Sequence, residues 1–72
     1  MSERMEFMAY CIEEYKAAER LNGKAVIGLF GKYGVLEYIG NHYDALHTTG
    51  GPYIVKDINR FINNRKETTL TS

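Results

Sequence analysis

Apolar residues return at every third or fourth position along most of this chain, and glycine interrupts the rhythm at Gly23, Gly34 and Gly50-Gly51. That period belongs to amphipathic helices, and the interruptions leave little room for any of them to grow long. The first stripe holds Met8, Cys11, Ile12, Tyr15 and Ala18, widened by Met5 and Phe7, with Glu6, Glu13, Lys16, Glu19 and Arg20 opposite. Ser2 is placed to cap this helix, and Gly23 suits the left-handed turn that ends one. Ala25, Val26, Leu29, Phe30 and Tyr33 make a second stripe, which Gly34 stops. Val35, Leu36, Ile39, Tyr43 and Leu46 make a third, and Ile54, Val55, Ile58, Phe61 and Ile62 a fourth, with Pro52 just inside its start.

The spacing predicts an all-α fold, a compact bundle of four short helices over residues 3–20, 24–33, 35–46 and 53–65. Residues 1–66 form a single domain, and 67–72, without period, a disordered C-terminal tail. Isolated helices of about 12–15 residues are marginal in water, so the apolar faces must meet. The expected core is Met8, Ile12, Tyr15, Val26, Leu29, Phe30, Leu36, Ile39, Tyr43, Ile54, Ile58, Phe61 and Ile62. A domain of 72 residues buries only about 60% of the surface its unfolded chain exposes, so its stability margin is thin.

Composition narrows the function classes. Nine basic residues balance nine acidic ones, which disfavours a protein that lives on phosphate contacts. Cys11 is the single cysteine and has no intrachain partner. No stretch reads as a signal peptide or approaches the ~20 apolar residues of a membrane span, so a cytoplasmic location is expected. Six tyrosines suit both the rim of a small core and an interface.

The stretch HTTGGP, residues 47–52, must finish one helix, turn the chain and start another. His47 suits a helix C-terminus, and Thr48 or Thr49 can offer a hydroxyl to an orphan N–H. Gly50 and Gly51 give the backbone freedom. Asp44 and His47, three apart, are neighbours on one helix face, a usual way to orient an imidazole. No nucleophile is fixed beside them, and Cys11 lies on the core stripe. His42 and His47 are five apart and face different sides of a helix. No catalytic residue, metal or cofactor is expected.

Gly28 and Gly31 sit opposite the core stripe beside Ile27, an apolar residue out of place there. A small-residue face with an exposed isoleucine would let another helix approach closely. The expected partner-binding residues are therefore Ile27, Gly28 and Gly31 on one surface, and Asp44, His47, Thr48, Thr49 and Gly50 on another. The alternative is a helix-turn-helix-like DNA-binding regulator, since residues 25–43 read as helix, turn at Gly34, helix. No arginine or lysine lies between Gly34 and Val55, however, and duplex recognition leans on those residues.

"CIEEYK", "LFGKYGVLEYI", "YDALHTTG" and "YIVKDINRFI" together resemble a bacterial family of short proteins, the domain of unknown function numbered 3791. The similarity runs in order from Phe7 to Arg65, and its specificity lies in that order and spacing. Members are often encoded beside proteins resembling ADP-ribosyltransferase toxins. The resemblance thus implies an antitoxin-like or regulatory partner role. Both lines of reading converge on a non-catalytic module that binds another protein, with self-association into a homodimer as a further expectation.

Overall fold

The computed structural model describes residues 3–71, with side chains from Glu3 to Lys66. Among them every regular element is helical: α1 (Glu3–Glu19), α2 (Gly23–Tyr33), α3 (Val35–Asn41), α4 (Tyr43–Leu46) and α5 (Gly51–Thr71). The proposed cap at Ser2 and the expected tail over 67–72 lie outside the residues described with side chains. Helices α1 and α5 pack on each other, α2 lies against α1, and α3 touches α1, α2 and α5.

The core draws on four elements. Cys11 and Tyr15 come from α1, Val26 and Phe30 from α2, Val35 and Ile39 from α3, and Ile54, Ile58 and Ile62 from α5. A fully buried aliphatic side chain stabilises by about 1.5–3 kcal/mol, so each of the α5 isoleucines is a sizeable share of a small domain's margin. Met8, Ile12, Leu29, Leu36 and Phe61, expected in the core, are only half-buried against it. Helices this short cannot surround one another, so the edges of their stripes stay partly wet. Cys11, Val35 and Leu46 are the buried hydrophobic residues beyond the expected set. Tyr43 departs from expectation more clearly: it is half-buried outside the cluster, in an edge contact with Phe7 at 5.5 Å.

Helix boundaries also differ, and α5 spans Gly51–Thr71 where 53–65 was expected. The predicted helix over 35–46 divides at His42, whose backbone (φ −112°, ψ 21°) leaves the helical region. Its N–H is shared between Tyr38 O and Ile39 O, at 3.0 and 3.2 Å. Gly40 and Asn41, both poor helix formers, precede the break. At the first link the left-handed residue is Arg20 (φ 56°), not Gly23. Asn22 caps α2 instead, its Oδ1 accepting from Ala25 N at 2.8 Å, and Gly23 becomes the first helical residue. Gly34 behaves as expected, ending α2 at φ 68° with its N–H bonded to Phe30 O.

Candidate functional site

The outer face of α2 follows directly from its inner one. With Val26 and Phe30 fully buried, residues 27, 28 and 31 are turned outward, and Ile27 is 57% exposed. A Cβ built on Gly28 or Gly31 would meet nothing within 4 Å. Neither glycine has a positive φ. Neither packing nor backbone conformation inside the chain therefore requires glycine at these positions.

The second predicted surface is the α4–α5 turn. His47 Nδ1 lies 2.7 Å from Tyr43 O, and its ring stacks on that tyrosine with centroids 4.5 Å apart. A carbonyl only accepts, so Nδ1 is the donor, and Nε2 of the neutral ring is an acceptor. Five residues earlier His42 meets Tyr38 in a similar way, with 2.9 Å from Nδ1 to the carbonyl and 4.4 Å between ring centroids, its ring tilted by 36° rather than stacked. The sequence writes this as Tyr-x-x-x-His twice in succession, YIGNH then YDALH. His47 is thus oriented by Tyr43; no hydrogen bond or ion pair joins it to Asp44 among the described residues. The threonine hydroxyls also differ from expectation. Thr48 Oγ1 donates to Ala45 O at 3.1 Å and Thr49 Oγ1 to Leu46 O at 2.7 Å. They satisfy carbonyls at the end of α4 and leave the N–H groups of α5 alone.

Glu14 of α1 reaches that helix start. Its carboxylate lies so close to Gly51 that a Cβ there would strike it, with Tyr10 Oη also near. A negative charge at a helix N-terminus is stabilising. Gly51 thus admits a carboxylate from within the chain, and HTTGGP is accounted for as a turn. No hydrogen bond, ion pair or ring contact links this turn to the α2 face among the described residues.

A third surface was missed by sequence reasoning. Along α5, Tyr53, Lys56, Asn59, Arg60, Asn63 and Asn64 line an open recess of about 600 Å³, with Asp57 behind them. Asp57 is only 5% exposed. Tyr38 Oη donates to its Oδ2 at 2.7 Å, and the Arg60 guanidinium pairs with its Oδ1. Asn59 is fixed as well: Tyr15 Oη donates to its Oδ1 at 2.6 Å, and its Nδ2 donates to Glu19 Oε2 at 3.2 Å. Two signals for this were readable. Asp57 falls on the buried stripe of α5, three residues after Ile54, and the cations and amides recur at three-to-four spacing on the opposite side.

Burial, and next the Glu14 charge, push the Cys11 thiol up to about 12. A buried thiol held protonated is a packing residue. Burial followed by the hydrogen bond to Asp57 likewise pushes Tyr38 up to about 12. Among the described residues no group of three or more His, Cys, Asp and Glu could hold a metal ion. None of the helices is long and apolar enough to cross a membrane.

Residues 6–65 match the model of a family described as "Protein of unknown function (DUF3791)". No curated protein and no solved structure matches the chain.

Proposed function

The chain belongs to the DUF3791 family of proteins of unknown function, and on that footing we propose that it is a small non-catalytic protein-binding module. One observation carries the reading. Gly28 and Gly31 each lower helix stability by about 0.8–1.0 kcal/mol relative to alanine, yet nothing inside the chain uses the space they leave. Ile27 stands exposed between Val26 and those glycines. A partner helix laid on this face could approach the backbone closely and cover the isoleucine. The turn residues Asp44, His47, Thr48, Thr49 and Gly50 would supply polar contacts at the rim.

The resemblance drawn from the sequence motifs supports the finer identity of the partner: an ADP-ribosyltransferase-like protein encoded nearby in a bacterial genome. The role is then antitoxin-like or regulatory, and the setting cytoplasmic. The same α2 face would serve a homodimer in the absence of that partner.

The test is co-purification with the product of the neighbouring gene, with sizing of the protein alone. Ile27→Asp should abolish capture and His47→Ala should weaken it, while helical circular dichroism is retained. Failure to capture the neighbour at all removes the antitoxin-like reading. Capture and oligomeric state untouched by both substitutions would show that the surfaces lie elsewhere.

A further inference from the structure

We propose that the recess on the outer face of α5 is a docking groove for an acidic segment of a partner protein, with Lys56 and Arg60 each receiving one partner carboxylate. The inference rests on the protein-binding reading and adds to it a surface and a partner chemistry.

Charge carries the argument. Lys56 and Arg60 line the groove, and its single carboxylate, Asp57, is buried with both oxygens engaged by Tyr38 and Arg60. The polar groups it presents are the two cations and the amides of Asn59, Asn63 and Asn64, set among the apolar stems that make up most of its surface. The other described cations of this helix are committed differently: the Arg65 guanidinium lies 4.8 Å from the Phe61 ring centroid, and Lys66 Nζ 6.0 Å from that of Tyr33.

Arg60 is held in place before any ligand arrives. Its side chain is 68% exposed, yet the buried Asp57 carboxylate, itself tied to α3 by Tyr38, grips the guanidinium. A guanidinium has five N–H donors, so donors remain for a second carboxylate. Fixing the side chain in advance lowers the entropy lost on binding. Asn59 is positioned in the same way by Tyr15 and Glu19. Tyr53, 53% exposed at one end of the groove, offers an aromatic anchor.

Spacing sets the ligand. Lys56 and Arg60 are four residues apart, a rise of about 6 Å along the helix. Partner carboxylates at i and i+4 of a helix match that distance. Nucleic acid is the poorer occupant, because the chain is neutral overall and the recess offers only two cations, one of them paired with Asp57.

The experiment is a titration of the ¹⁵N-labelled protein with a helical peptide bearing glutamate at every fourth position. The same peptide with glutamine in those places, and a short DNA duplex, serve as controls. The glutamate peptide should shift the side-chain amide signals of Asn59 and Asn63 and bind roughly tenfold tighter than its glutamine twin, a difference of about 1.4 kcal/mol. Lys56→Gln, at an exposed position, should remove most of that preference without altering the fold. Arg60→Lys, which keeps a cation for Asp57, should weaken it, and Lys24→Gln, which removes an exposed cation on α2, should not. Equal binding of the two peptides, no loss in Lys56→Gln, or a stronger response to the duplex overturns the proposal. Loss of capture of the neighbouring gene product would remove the antitoxin-like reading and leave this peptide result standing.

Discussion

Glycine does opposite things at different positions in α2 and its cap. Gly34 holds φ 68°, where an L side chain crowds the following carbonyl, so Gly34→Ala should destabilise the fold by about 1–2 kcal/mol. In the monomer Gly28→Ala and Gly31→Ala meet open space and should each stabilise it by about 0.8–1.0 kcal/mol, a gain that a homodimer packed on this face would reverse. Urea unfolding midpoints of the three variants check both signs. A loss of stability in Gly28→Ala would mean that the α2 face is packed in solution, by a second copy for instance. The sequence already placed these glycines and Ile27 outward, because one face of a single helix follows from its own period. Asp57 and Tyr38 were less legible. Their pairing joins residues 19 positions apart, and no local pattern encodes which tyrosine reaches which carboxylate.

Helix boundaries were legible where one residue decided them and obscure where two competed. At Gly34 there was no rival. At the first link Gly23 was the expected left-handed residue, but Asn22 competed for the link as the cap of α2, and the left-handed position fell to Arg20. Asparagine is among the best N-caps, so leaving it free to bond Ala25 N fixes Gly23 inside α2. The chain must then turn three residues earlier, and Leu21 N closes α1 on Lys16 O at 3.1 Å. Arg20 consequently carries a left-handed strain that glycine would not. Arg20→Gly should therefore stabilise the protein by about 0.5–1 kcal/mol, less than the full strain because glycine also loosens the unfolded chain. A thermal melt would show it, and a lowered midpoint would mean that the arginine side chain makes a contact worth more than the strain. The break at His42 was hidden for a related reason. The apolar stripe runs through it unbroken, while each histidine meets the tyrosine four residues before it, His42 on Tyr38 and His47 on Tyr43, in two separate turns.

Across the whole molecule, tyrosine hydroxyls tie the helices together, with Tyr15 reaching Asn59 and Tyr38 reaching Asp57. Both tyrosines bind their protons more tightly in the folded state, chiefly through burial, and so does Cys11. Cys11 is pushed from an ordinary 9.0 up to about 12, and Tyr38 from 10.0 up to about 12. A group whose folded value is raised lends stability in full below its unfolded value and loses it as pH climbs to the folded one. The unfolded chain sheds these protons first, so their contribution to stability should be constant up to about pH 9 and fall steadily from there to about pH 12. Cys11→Val and Tyr38→Phe each delete one of the titrations. Tyr38→Phe should also cost about 1.5–3 kcal/mol at neutral pH, since it takes a donor from a buried carboxylate. Its loss between pH 9 and pH 11 should nonetheless be shallower than that of the parent protein. Unfolding curves in urea at stepped pH separate the baseline from the slope. A parent protein equally stable at pH 8 and pH 11, or variants with the parent's slope, would show that neither proton is held by the fold.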